Sequence, residues 1–280
     1  MIIVFKKHDK EGWFLATRLD DYTFEDFGYK ERFGETNPST PEIEEKAISI
    51  PGRPGRISFG TEIGVRQFKI PLMLIEKSEF ERQQRRNNFV AFLFDAYRQP
   101  RTFKLIFDYE PDKFYWVKVG SQLTPEMLYQ MDQFELTLIA NDPNKYFLID
   151  ADEIRMGSHI PVRSHVRPAM HSFSITDNQT IKLINDGSLA IRPRISISGT
   201  ATKLAIGNLQ TGQSFSMNNI TSDKPVIVEG ERYLVTEGGV DTFSKLTGKF
   251  LDLLPGENRL PVVGENMNLT ISFKYKFQFM

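Results

Sequence analysis

The sequence has no cysteine, which excludes disulfides, thiolate nucleophiles and cysteine-held metals. It also has no excess charge of either sign. Thirty-five Lys and Arg against 36 Asp and Glu leave a net charge of −1, so electrostatics gives no drive toward tight nucleic-acid or acidic-membrane binding. Long apolar runs are missing too. The longest, residues 89–94, falls far short of the ~20 residues of a membrane span. Residues 1–7 place their few apolar residues before their charges, unlike a signal peptide, so the chain reads as soluble and unsecreted. No G-x-S-x-G, phosphate-binding loop or dinucleotide fingerprint is present.

What the sequence has in abundance favours strands. Twenty-three Phe and nine Tyr stand among many Thr, Ile and Val, with Gly and Pro recurring throughout. At 280 residues, the length prior is about two domains.

The chain is organised around residues 44–71, EEKAISIPGRPGRISFGTEIGVRQFKIP. Pro51-Gly52 and Pro54-Gly55 are turn dipeptides, with Pro presetting φ and Gly taking the positive-φ position. Arg53 and Arg56 sit in these turns and point outward. By themselves these residues describe an ordinary surface hairpin with solvated arginines. The wider pattern resembles a family: acidic residues, I-x-I-P-G-R-x-G, then R-x-x-x-I-P is similar to the N-terminal domain of the distal tail (Dit) proteins of long-tailed, non-contractile bacteriophages. Phe24-Glu25-Asp26-Phe27-Gly28 resembles the D-F-G preceding that family's glycine-rich turn, and residues 66–75 resemble its next strand. Pro54 stands where the family pattern has Asp.

Residues 1–22 read as a hairpin, and residues 30–43 as a polar loop or arm broken by Pro38 and Pro41. One long helix is expected over residues 78–98, with Ser78 and Glu81 at capping-box spacing and Gln99-Pro100 closing it. Its first half, with Arg82, Arg85 and Arg86, is polar on every side and should project into water or onto a partner. A subunit interface and a solvated end are both open readings of that cluster. Residues 103–109 and 114–119 form a hairpin turning at Glu110-Pro111-Asp112. Residues 133–139 alternate as a half-buried strand. Asn141-Asp142-Pro143-Asn144 breaks the pattern, which gives domains of 1–144 and 145–280. In the second, residues 180–184 and 194–198 flank a turn at Asn185-Asp186-Gly187, as do 225–228 and 232–236 at Glu229-Gly230-Glu231. The alternating residues 269–279 read as one long strand whose lysines guard an edge. Short strands at regular spacing imply a β-sandwich, and G-K-F-x-x-L-x-P-G-x-N at residues 248–258 resembles the galectin-like C-terminal domain of the same family.

Chemistry finds little support. His165 and His171 lie about 20 Å apart if extended, too far for one ion, so these and His159 read as scattered polar residues. Asp150, Asp152 and Glu153 lack the spacing and Gly of a calcium loop and read as a solvated linker. No motif marks a glycosidase carboxylate pair. Sugars stack on exposed aromatics, yet both tryptophans, Trp13 and Trp116, lie in the first half.

The expected fold is therefore mainly β: an N-terminal β-sandwich or split-barrel-like domain with one long helix, then a galectin-like β-sandwich. The resemblance implies a non-enzymatic structural protein of the virion tail tip, assembled in the bacterial host cytoplasm, without cofactor or metal. It implies a hexameric ring that joins the tail tube protein to the tail-associated lysin or tail-tip protein and to a receptor-binding protein. The candidate subunit-contact residues are Pro51, Gly52, Arg53, Gly55, Arg56, Arg82, Arg85 and Arg86. The alternative is a carbohydrate-binding module for adsorption to the host cell wall.

Overall fold

The computed structural model describes residues 17–154, 164, 166–221 and 224–280. Residues 1–16 of the expected N-terminal hairpin, including Trp13, and His159 and His165 lie outside the described residues. The chain divides into two compact units, residues 1–145 and 146–280.

In the first unit the strands are β1 (Arg18–Leu19), β2 (Tyr22–Thr23), β3 (Tyr29–Glu31), β4 (Ile43–Ser49), β5 (Arg56–Ile63) and β6 (Arg66–Ile75), followed by helix α1 (Glu79–Leu93). After it come β7 (Phe103–Phe107), β8 (Glu110–Val119), β9 (Glu126–Leu128) and β10 (Met131–Ala140). The β2-β1-β7-β8-β10-β6-β3 path forms an antiparallel sheet with β9 added on β10, while among the described residues β4 and β5 pair only with each other. Alternation dictates the core: Phe68, Ile70, Leu72 and Leu74 of β6 face inward with Leu136 and Leu138 of β10. The segment Phe24–Phe27 is a 3-10 turn closed by Gly28 at φ 84°. It stacks Phe27 on Phe89 and Phe92 of the helix, with ring centroids 5.3 and 4.7 Å apart.

Helix α1 starts as expected, with the Ser78 hydroxyl accepting from the Glu81 amide at 3.4 Å. It stops at Leu93, sooner than expected, because the Asp95 carboxylate accepts from the Tyr97 and Gln99 amides and folds that stretch into a turn. The inner face is also not what the polar first half suggests. Arg82, Arg86, Phe89 and Leu93, spaced four, three and four apart, form one lengthwise stripe. Its arginine end closes on the fully buried Asp132 of β10, with Arg86 Nε at 3.4 Å and Arg82 Nε at 3.8 Å. The β7–β8 turn falls at residues 108–109, and Pro111 lies within β8.

β11 (Lys145–Phe147) spans the division. The second unit then contains β12 (Ser172–Ile175), β13 (Gln179–Asn185), β14 (Arg194–Gly207), β15 (Ser214–Ile220), β16 (Val226–Glu229), β17 (Leu234–Glu237), β18 (Val240–Asp241), β19 (Leu246–Gly248), β20 (Gly256–Glu265), β21 (Asn268–Lys274) and β22 (Gln278–Phe279). Two sheets share β14. Its first half pairs with β16 and β21, and its second with β15 and β20. The change falls at Gly199, φ 114°, where a Cβ would lie 2.1 Å from the Asn268 carbonyl.

β13 and β14 flank the Asn185 turn, and β13 pairs with β20. Three expectations are corrected in this unit. The closing strand is broken between β21 and β22, although Tyr275 and Phe277 stay buried in the gap. Lys274 and Lys276 do not guard an edge: β21 is flanked by β12 and β14, and both lysines grip Asp150 at 3.0 and 2.9 Å. Asp150 is therefore no solvated linker residue. Burial pushes its carboxyl up, but the hydrogen bonds from Lys276 and Lys274 outweigh this and hold it below its ordinary value.

Candidate assembly interface

Among the described residues, hairpin β4–β5 is the part of the first unit that the fold leaves without support. Two strands alone are marginally stable in water, and here nearly every position of both is exposed. Ile43 and Ile63 sit opposite each other at 57% and 50% exposure, and Ile48, Ile50 and Phe59 are exposed as well. The register slips between Glu45 and Ala47, beside Gly60 at φ 116°. Glu44 and Glu62 face each other, a like-charge pair that would weaken the ladder. Lys46 bridges both at 2.8 and 2.9 Å, and these carboxylates hold its ammonium above its ordinary value.

At the tip the Pro-Gly chemistry takes the expected form. The Arg53 amide donates to the Ile50 carbonyl at 3.1 Å, with Gly52 at φ 81° and Gly55 at φ 85°. Among the described residues nothing lies within 4 Å of a Cβ added at either glycine, so the requirement for glycine there is backbone geometry. Pro51 and Arg53 are exposed, and Arg56 reaches the Ala47 carbonyl at 3.3 Å. The arm is thus polarised, with arginines at the tip and Glu42, Glu44, Glu45 and Glu62 nearer the base.

Among the described residues no hydrogen bond or ion pair joins the helix arginines to this arm's tip. Arg82 and Arg86 are turned inward onto Asp132, with side chains 12% and 13% exposed. The Tyr29 hydroxyl nearby is pushed up by burial and by Asp132, against the opposing charge of Arg86. Arg85 alone of the three is well exposed. It pairs with Glu76 at 3.4 Å and lies so close over Gly28 that a Cβ there would meet its Nη1 at 2.0 Å. Asp132 was not singled out by sequence. Its only local sign was a carboxylate at an inward position of an alternating strand.

Among the described residues no group of three or more His, Asp or Glu is placed to hold a metal ion, and no helix is long and apolar enough to cross a membrane. His171 is buried, its Nε2 lies 3.1 Å from the Tyr275 hydroxyl, and burial lowers its pKa.

Residues 22–140 match the family model for the phage tail protein RIFT-related domain. No curated protein matches the sequence. Among solved structures, the SPP1 Dit (gp 19.1) protein, described as a paradigm of the hub adsorption apparatus in phages infecting Gram-positive hosts, is similar with a TM-score of 0.68 and 15% identity, over 94% of this chain and 98% of that one. The phage P2 baseplate in its activated conformation with Ca has a TM-score of 0.40 and 10% identity, over 92% of this chain and 94% of that one. Residues 22–140 are therefore similar to the phage tail protein RIFT-related domain, and the chain shares the fold of the SPP1 Dit protein.

Proposed function

We propose that the chain is a structural hub of a siphophage tail tip, a closed ring of six copies rather than an enzyme. The ring contacts lie in residues 1–144. It joins the tail tube protein to the tail-associated lysin or tail-tip protein and to a receptor-binding protein, and leaves a channel for DNA. Residues 145–280 form a galectin-like domain outside those contacts. Assembly takes place in the host cytoplasm. The observation that carries this reading is the β4–β5 arm: an unsupported hairpin with exposed isoleucines and Phe59, whose apolar area needs a second protein to cover it. Pro51, Gly52, Arg53, Gly55 and Arg56 place its tip. Arg85 is the helix residue offered to a neighbour, while Arg82 and Arg86 act indirectly by holding α1 against β10.

Solution mass with negative-stain imaging tests the proposal. The full chain should form rings, and a variant with residues 45–62 replaced by a short Gly-Asn turn should be a folded monomer. A wild-type monomer at all concentrations, or unchanged rings without the arm, overturns it.

A further inference from the structure

Three aromatic side chains of the second unit meet at its surface, brought there by separate connections. Tyr233 lies in the β16–β17 turn, Phe243 follows β18, and Phe250 follows β19. Phe250 is partly buried against the core and forms the anchor. Tyr233 meets it edge-on with centroids 5.4 Å apart, and Phe243 lies 6.1 Å away. Tyr233 and Phe243 are each at least half exposed. Tyr233 also holds φ 52°, a conformation an aromatic residue rarely adopts.

Beside the rings stands a rigid polar frame. Asp252 accepts from Arg192 Nε at 2.8 Å and from Gln213 Nε2 at 2.6 Å. Its backbone amide donates to Gln213 Oε1 at 2.7 Å, and its carbonyl accepts from Asn208 Nδ2 at 2.7 Å. The Arg192 guanidinium lies 4.9 Å from the Tyr233 ring centre and its Nη1 donates to the Tyr233 hydroxyl. No hydrogen bond among the described residues uses Arg192 Nη2. Gly230 makes the arrangement possible, since a Cβ there would lie 2.8 Å from Arg192 Cβ.

We infer that this cluster is a carbohydrate-binding site, with Phe243 stacking on the apolar face of a pyranose, Tyr233, inclined steeply to it, bordering the sugar, and Arg192, Asp252 and Gln213 addressing its hydroxyls. A sugar ring offers an apolar C–H face bordered by donors and acceptors, and the surface presents the complement: rings bordered by a guanidinium, a carboxylate and an amide. The frame is held in place before any ligand arrives, so little ordering entropy opposes binding. The site is independent of the arm and goes beyond the hub reading.

The test uses the full-length chain and, as probes, purified bacterial cell-wall polysaccharide together with glucose, galactose and their N-acetylamino forms at millimolar concentration. NMR or calorimetry should detect binding of at least one probe. Tyr233→Ala and Arg192→Met should each weaken it at least tenfold, and Gly230→Ala should do so without touching a contact residue. Thermal unfolding of the second unit identifies any variant that fails to fold, and Phe243→Ala, at an exposed ring, provides a second reading in that event. No binding by wild type, binding that survives Tyr233→Ala and Phe243→Ala in folded protein, or occupation of the cluster by another protein subunit instead of sugar overturns the inference. Solution mass is unaffected by these substitutions, so this outcome is separate from the fate of the ring.

Discussion

Truncating Asp132 removes the anion that holds the polar half of α1 against the sheet. Arg86 Nε at 3.4 Å and Arg82 Nε at 3.8 Å face a carboxylate with no exposed surface. At an effective dielectric of about 20, each attraction is roughly 4–5 kcal/mol gross, most of it offset by the desolvation of three charges. Asp132→Ala is different, because it leaves two largely buried guanidiniums without their counter-charge, and such truncations cost about 3–5 kcal/mol. A domain stability of roughly 5–15 kcal/mol absorbs this, so the variant folds but is weakened. With a urea slope of about 2 kcal/mol/M, the midpoint of the first unit should fall by about 2 M. Both tryptophans, Trp13 and Trp116, lie within residues 1–145, so tryptophan fluorescence follows this unit alone. Combining Asp132→Leu with Arg82→Met and Arg86→Met should recover most of the loss, since apolar side chains of similar volume often replace a buried ion cluster without penalty. A stability for Asp132→Ala within about 0.5 kcal/mol of wild type, a midpoint change of about 0.25 M, would refute the reasoning, as would a triple variant no better than the single one.

Arg85→Ala should move the same fluorescence midpoint by less than about 1 kcal/mol, because its pair with Glu76 is solvated. Gly52→Val strains a backbone at φ 81° by about 1–2 kcal/mol without a clash; circular dichroism should report a native fold while sedimentation shows impaired rings. Glu110 is affected first by burial, which raises its pKa, yet contacts from Lys113 and Lys145 hold it below its ordinary value. A depressed carboxylate stabilises the fold above its unfolded pKa and loses that contribution as pH falls. The first unit's urea midpoint should therefore drop below about pH 4.5, and Glu110→Gln should flatten that dependence. Residues 145–280 expressed alone should be a folded monomer by circular dichroism and sedimentation, because that unit has its own core; an aggregated, unstructured fragment would contradict the division.

What the sequence determined about this protein rests on relations between near neighbours. Cysteine absence, β-rich composition, the Ser78 cap, the positive-φ glycines after Pro51 and Pro54, and the alternation of β10 are all readable over two to four residues, as is the tail-protein pattern around residues 44–71. Element partners were not readable this way. Residues 180–184 and 194–198 flank a turn in sequence, which does not reveal that β13 pairs with the distant β20, because the sandwich satisfies its edges across the whole unit. The polar half of α1 looked solvated because nothing within one helical turn reveals that Asp132, far along the chain, is buried beneath it. Tyr233, Phe243 and Phe250 are separated in sequence and meet only when their loops do. Only the tertiary structure decided that β4–β5 stands apart from the main sheet, since its alternation is the same whether one face is covered or neither.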